Sequence, residues 1–151
     1  MTFLLDELNK LLIAFDDHDL DYAICGGLAM AIRGFPRMTM DIDVLIREET
    51  LDQAFQIADQ LGFDVRGLDI SLSDPKVEIR RVSKIVGDVV LCLDLLLVFD
   101  EIEDVWRTRE RLPYMGREVS VVSQQGLVFL KRRAGRPQDI ADIHRIENEE
   151  D

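Results

Sequence analysis

Leu4, Leu5, Leu8, Leu11, Leu12 and Phe15 return at three- and four-residue steps with acids and amides between them, so the chain is predicted to open with an amphipathic helix over residues 3–17. Tyr22 to Cys25 is a short apolar run ended by Gly26-Gly27, and Leu28 to Arg33 then has high helix propensity until Gly34 and Pro36 stop it. This reads as strand, tight glycine turn, helix. From Met40 to Ile46 the pattern changes to a period of two, with Met40, Ile42, Val44 and Ile46 on one face and Asp41, Asp43 and Leu45 on the other, as in a strand.

Leu51, Ala54, Phe55, Ala58 and Leu61 restore the helical period, with Thr50 as N-cap and Gly62 at the C-terminal end. Residues 63–75 are mixed and end in Asp74-Pro75, a weak strand and a loop. Lys76 to Ile85 alternates imperfectly, and Val89 to Phe99 is an apolar run interrupted only by Asp94; both are predicted strands, the second central and buried. Glu101 to Leu112 reads as a helix, Glu118 to Val122 as a short strand, and Ser123 caps a helix through Arg133. Pro137 suits the first turn of a last helix that Ile140, Ile143 and Ile146 would dock on the core, with the acidic tail after Glu147 expected to fray. Helices alternating with strands in this way indicate an α/β (α+β) architecture, a mixed β-sheet covered by helices mainly on one face.

The 151 residues suit one domain spanning residues 1–151, and 47% apolar with 32% charged residues excludes a wholly disordered chain. A net charge of −12 argues against duplex DNA as partner while leaving room for a local basic pocket. Cys25 and Cys92 sit in apolar runs and match neither a disulfide framework nor, with His18 and His144, a zinc-ligand spacing. The start lacks a basic segment before its apolar residues and no stretch reaches the roughly 18 apolar residues of a membrane span, so a cytoplasmic location without membrane contact is expected.

Candidate chemistry begins with Asp41 and Asp43, two apart on a strand and therefore about 7 Å apart on one face, near enough to share one or two divalent ions. A solvent-facing strand would also present such a pair. Asp94 changes the balance, because an acid within Val89-Val90-Leu91-Cys92-Leu93-Asp94-Leu95-Leu96 needs a counter-charge or a metal. A neighbouring strand would make it the third acid of a metal site; a buried salt bridge to an arginine is the alternative. Gly26-Gly27 ahead of a helix offers unobstructed N–H groups and the positive end of a dipole to phosphate oxygens, although a plain tight turn uses the same residues. Phosphate cradle and acids at neighbouring strand ends together describe a nucleoside triphosphate with its magnesium.

Gly26-Gly27, thirteen residues, then Asp41-Ile42-Asp43-Val44, with Asp94 as a third acid on a later strand, resembles the signature of the DNA polymerase β-type nucleotidyltransferase superfamily. The stretch Arg33-Gly34-Phe35-Pro36-Arg37-Met38-Thr39-Met40-Asp41-Ile42-Asp43 is similar to the arginine-x-threonine-x-aspartate-x-aspartate of the bacterial abortive-infection toxin nucleotidyltransferases and their relatives. Leu130-Lys131 and Arg136-Pro137-Gln138-Asp139-Ile140-Ala141-Asp142 resemble that group's later lysine and arginine-x-lysine-aspartate segment, with Gln138 where a lysine is common.

The resemblance implies an enzyme that transfers a nucleoside monophosphate from ATP, GTP or another triphosphate to a hydroxyl. Gly26 and Gly27 would contact the triphosphate, Asp41 and Asp43 would bind two Mg²⁺ ions, and Asp94 would hold the catalytic ion and lower the pKa of the attacking hydroxyl. Lys131, Arg37 and Arg136 are candidates for offsetting triphosphate charge, a solvated helix-face role being open for each. Thr39 would orient a carboxylate or simply satisfy the strand. Asp139 and Asp142 read as helix N-terminal acids or as secondary catalytic acids. Larger relatives append a helical domain, whereas only about ten residues follow the second motif here, which leaves a protein partner or a homodimer to complete the site. A tRNA end is open as acceptor without anything pointing to it. The rival expectation is a nucleotide-binding or protein-binding member of a toxin–antitoxin pair with weak or absent catalysis.

Overall fold

The computed structural model describes residues 2–149. Its helices are α1 (Thr2–Asp17), α2 (Gly26–Ile32), α3 (Leu51–Gln60), α4 (Glu103–Arg107), α5 (Gln124–Ala134) and α6 (Pro137–Glu149). The strands are β1 (Ala23–Cys25), β2 (Asp41–Ile46), β3 (Val65–Arg66), β4 (Ile70–Ser73), β5 (Lys76–Val86), β6 (Val89–Leu97), β7 (Glu110–Tyr114) and β8 (Arg117–Val121). Among the described residues these strands form one mixed sheet in the order β3-β5-β6-β2-β1-β8-β7, with β4 also paired to β5.

The acids are placed by the centre of that sheet. β2 runs parallel to β6 and antiparallel to β1, and β6 is antiparallel to β5. Parallel pairing in mid-sheet requires apolar residues on both faces, which the Val89–Leu97 run supplies. On one face Ile42, Val44, Ile46, Leu93 and Leu95 are fully or almost fully buried, continuous with the leucines of α1, and the buried Glu7 of α1 accepts a hydrogen bond from Lys84 of β5 at 3.0 Å. On the opposite face Asp41, Asp43 and Asp94 emerge, and α5 and α6, packed on one another, flank them.

The structure differs from the expectations in identifiable ways. The helix expected over Glu101–Leu112 is a 3-10 turn followed by α4, and it stops at Arg107. Glu110–Tyr114 instead forms β7, closed onto β8 through Met115-Gly116, both of which have positive φ. That turn is a hairpin signal, and Pro113, lacking an N–H, is tolerated because β7 is an edge strand. Residues 63–75 hold two short strands. Thr50 does not cap α3: its hydroxyl donates back to the carbonyl of Arg47 at 2.9 Å, whereas Ser123 does cap α5, accepting from the Gly126 N–H at 2.9 Å. Ile143 and Ile146 are buried as expected, but Ile140 is exposed. α6 continues past Glu147 to Glu149, and the rest of the expected frayed tail, residues 150–151, lies outside the described residues.

Leu93, fully buried at the centre of β6, is expected to be a stability determinant. Leu93→Ala should destabilise the fold by about 2–5 kcal/mol, read as a lower urea midpoint with an unchanged slope.

Candidate active site

The pairing register sets Cys25, Asp43, Asp94 and Arg81 side by side in one row across β1, β2, β6 and β5. Adjacent strands lie about 4.8 Å apart, so the carboxylates of Asp43 and Asp94 are immediate neighbours, and Asp41 follows two residues along β2 on the same face. A cleft of about 640 Å³ opens over this row. Gly26, Gly27, Arg37, Thr39, Asp41, Asp43, Asp94, Lys131, Arg136 and Asp139, all singled out from the sequence, line it, whereas Asp142 lies behind the wall.

The acids of the row are treated unequally. Asp94, 6% exposed, accepts hydrogen bonds from Nε and Nη2 of Arg81 at 2.7 and 2.8 Å, one on each oxygen. This is the arginine ion pair that the sequence left as the alternative to a metal ligand, and it raises the guanidinium pKa of Arg81 further above its ordinary value. Asp41 and Asp43 have no ion-pair partner among the described residues. Burial, followed by the charges of Asp94 and Asp41, pushes Asp43 up to about 7, with Arg136 and Arg81 opposing the shift. Cys25, buried beside it, is likewise pushed up by burial and by the Asp43 charge.

The glycines matter through close approach. Gly26 has φ +66°, and a Cβ there would lie 2.2 Å from Oδ2 of Asp43; one at Gly27 would lie 2.7 Å from Oγ1 of Thr39. No side chain fits at either position, so Asp43 and Thr39 pack directly on bare backbone. The two glycines form the first turn of α2 rather than a separate turn before it, and α2 has only seven residues. Apart from this contact, the Thr39 hydroxyl makes one long hydrogen bond, 3.5 Å to the carbonyl of Asp41.

The facing wall is a network that the sequence showed only in part. Asp142, 2% exposed, accepts from Lys131 Nζ at 2.7 Å, Arg37 Nε at 3.1 Å and Gln138 Nε2 at 2.8 Å. Burial opposes its ionisation, but the Lys131 and Gln138 hydrogen bonds and the Lys131 and Arg37 charges outweigh it and leave its pKa below the ordinary value. Asp139, 1% exposed, accepts from Arg136 Nε at 2.7 Å and from the Arg136 backbone N–H at 3.1 Å, with Lys131 Nζ at 3.9 Å. Asp139, in the first turn of α6, is the helix N-terminal acid expected, accepting the Arg136 N–H, and it and Asp142 are also the buried anchors of three cations. Their three-residue spacing at the start of α6 was visible; that Lys131 of α5 faces them was not. Arg81 was missed altogether, because its position opposite Asp94 depends on the β5–β6 register.

The donor set suits a divalent cation in part. Asp41 and Asp43 are free carboxylates on one face, and the raised Asp43 pKa marks a negative cluster that a cation would relieve. Asp94 is already engaged by Arg81, and among the described residues no group of three or more acid, histidine or cysteine side chains converges closely enough to hold a metal.

No protein-family model matches the sequence, and no curated protein resembles it closely enough to count as a match. Solved structures do. The antibiotic-resistance factor ANT(2'')-Ia matches in its solution structure with a TM-score of 0.71 and 20% identity over 99% of this chain and 85% of that one. Its crystal structure in complex with adenylyl-2''-tobramycin matches with a TM-score of 0.67 and 19% identity over 100% of this chain and 91% of that one. A Thermotoga maritima protein assigned as a nucleotidyltransferase, TM1012, matches with a TM-score of 0.63 and 16% identity over 96% and 92%.

The fold is that of the nucleotidyltransferases.

Within this nucleotidyltransferase fold the row of acids lies at the centre of the sheet, and the unpaired charge of Asp43 should appear in the pH dependence of stability. Its pKa is raised by folding, so its stabilising contribution is complete below about pH 4 and is lost as the pH rises through about 7. Asp43→Asn should therefore be more stable than the unaltered protein at pH 8 in EDTA, by on the order of 2–4 kcal/mol, with the difference vanishing near pH 4. Urea midpoints at the two pH values check this, and equal differences at both would mean that Asp43 is already neutralised.

Proposed function

We propose that the chain is a nucleotidyltransferase, moving a nucleoside monophosphate from a nucleoside triphosphate to a hydroxyl acceptor. The observation that carries this reading is the pairing, in one cleft, of two unpaired carboxylates, one of them held against side-chain-free backbone, with a wall of three cations anchored from behind. Arg37, Lys131 and Arg136 outnumber Asp139 and Asp142, leaving one positive charge in excess for a polyphosphate. Similarity to ANT(2'')-Ia, a nucleotidyltransferase seen with an adenylylated product, supports the same class of chemistry.

In this reading the acceptor oxygen forms a bond to the α-phosphorus while the bond from that phosphorus to its bridging oxygen breaks, and pyrophosphate leaves with the electron pair. Gly26 and Gly27 let the phosphates approach the backbone, and Lys131, Arg136 and Arg37 take up the charge of the leaving group. Asp94, on the far side of Asp43 from the glycines, is the carboxylate placed to receive the hydroxyl proton, oriented by Arg81. Asp41 and Asp43 would hold divalent cation, two Mg²⁺ ions if Asp94 shares its carboxylate between Arg81 and metal; bound there, the metal makes the phosphorus attackable.

One observation favours a second reading. With both oxygens of Asp94 held by Arg81, the chain could bind nucleotide or a protein partner, as in a toxin–antitoxin pair, without turnover. Incubation with each α-labelled triphosphate, Mg²⁺ and a lysate of the source cells separates the two: the transferase reading requires a labelled acceptor that Asp94→Asn abolishes while binding persists.

Because Asp43 must be ionised to bind a cation, Mg²⁺·ATP affinity should fall about tenfold per pH unit below about pH 7 and level off above it, with proton release on binding. Isothermal titration at pH 6 and 8 measures this. A flat profile would remove Asp43 from the cation site, and failure of millimolar Mg²⁺·ATP to raise the melting temperature would remove nucleotide binding altogether.

A further inference from the structure

The functional face of the sheet continues beyond the acids. Two residues further along the strands from Asp43, Asp94 and Arg81, the register sets Leu96 opposite Ile79 and Ile79 opposite Ile70; Leu72 opposite Val77 makes the next row. These side chains line the same cleft, yet Ile70 is 39% exposed and Leu72 is 55% exposed. An apolar strip therefore adjoins the acid row about 7 Å from Asp94 and has no covering element among the described residues. Phe99 closes one end, with Lys76 Nζ 5.1 Å and the Arg133 guanidinium 5.7 Å from its ring centroid.

The strip lies on the other side of the acid row from the glycines. Gly26 and Gly27 adjoin the Asp41 end of β2, while Leu96 lies past Asp94 toward the opposite end of the parallel β2–β6 pair. Phosphoryl transfer places attacking and leaving oxygens roughly in line through the phosphorus. If pyrophosphate leaves toward the glycines and the cation wall, the acceptor enters across the acid row, over the strip.

Charge narrows its chemistry. Most charges bordering the strip are already paired: Arg81 with Asp94 at 2.7 Å, Arg133 with Glu101 at 2.7 Å, and Glu78 with Arg80 at 3.0 Å and the Ser71 hydroxyl at 2.6 Å, which leaves Lys76 as its cation without an ion pair among the described residues. A polyammonium acceptor such as tobramycin would meet the Lys76 ammonium and no unpaired carboxylate on the strip itself, the unpaired Asp41 and Asp43 belonging to the proposed cation site. Resting on the nucleotidyltransferase reading, we infer that the acceptor is a hydroxyl compound with a flat or branched apolar body and no multiple positive charge, seated on Ile70, Leu72, Val77, Ile79 and Leu96.

The test uses the full chain with 2-naphthol as a fluorescent apolar hydroxyl probe, tobramycin as the polycation and Mg²⁺·ATP as the nucleotide. The expected result is saturable 2-naphthol binding at least tenfold tighter than that of tobramycin. Leu72→Gln, at a site exposed enough to fold normally, should weaken naphthol binding at least tenfold while leaving the Mg²⁺·ATP Kd within twofold; Ile70→Gln should repeat this. If either variant weakened Mg²⁺·ATP equally, the strip would be a platform for the nucleotide base and the inference would be overturned. Tighter tobramycin binding, or naphthol binding absent or indifferent to both variants, would overturn it while leaving the nucleotide site intact. Absence of Mg²⁺·ATP binding by the unaltered protein would instead overturn the transferase reading, and this inference with it.

Discussion

Carboxylates on adjacent strands of a half-buried sheet face repel one another, and the other parts of the cleft are arranged around that repulsion. Asp43 and Asp94 are register partners in a parallel pair, and neither can move away without disturbing the most apolar strands of the fold. One of them is neutralised within the chain: Arg81 engages both oxygens of Asp94. The other is not, and its pKa near 7 expresses the free energy still held in the cluster. A purely structural requirement would favour two neutralised acids or none. An unneutralised acid beside two others is a cost to the fold, and it makes sense where a cation is to be bound.

The wall opposite follows the reverse rule. There the anions are deeply buried and the cations surround them, so Asp139 and Asp142 act as anchors that fix Lys131, Arg37 and Arg136 at the cleft surface. Long cationic side chains lose much rotamer freedom when they grip a ligand. Holding them beforehand on buried carboxylates transfers that loss to folding, and the excess of cations over anchors keeps the wall attractive to phosphate. In the proposed reading the two sides of the cleft answer the two parts of a metal–polyphosphate complex.

How much of this could be read from the residues alone depends on whether a feature is local. The alternation of Met40–Ile46 placed Asp41 and Asp43 on one face, and the apolar run around Asp94 marked an acid in need of a partner; both hold, because strand periodicity and burial are local properties. The choice between arginine and metal for Asp94 was not local, since it turned on the register that brings Arg81 of β5 opposite. The helix expected through Leu112 failed for a related reason. Helical propensity in Arg109–Leu112 gave way to pairing with β8, a tertiary contact that the Met115-Gly116 turn foreshadowed. What forbids a side chain at Gly26 and Gly27 is the packing of Asp43 and Thr39, residues seventeen and twelve positions further along, a contact no local pattern shows.

Net charge is the least local of the averaged properties, and it left room for the local basic pocket that the cleft contains. At −12 the chain as a whole should repel a polyphosphate, yet three cations stand together on one wall of the cleft. The contradiction resolves through screening: at physiological ionic strength charges separated by more than about 8 Å in solvent scarcely interact. Surface acids on remote faces are muted on that scale, while the buried Lys131 and the half-buried Arg37 act at short range and lower effective dielectric and the exposed Arg136 stands against them, held by the buried Asp139. Repulsion from the rest of the molecule then slows the approach of an anion without weakening its seat, and adding salt should relieve the former more than it loosens the latter. For this chain the sign of a bound ligand is set by the few charges in contact with it.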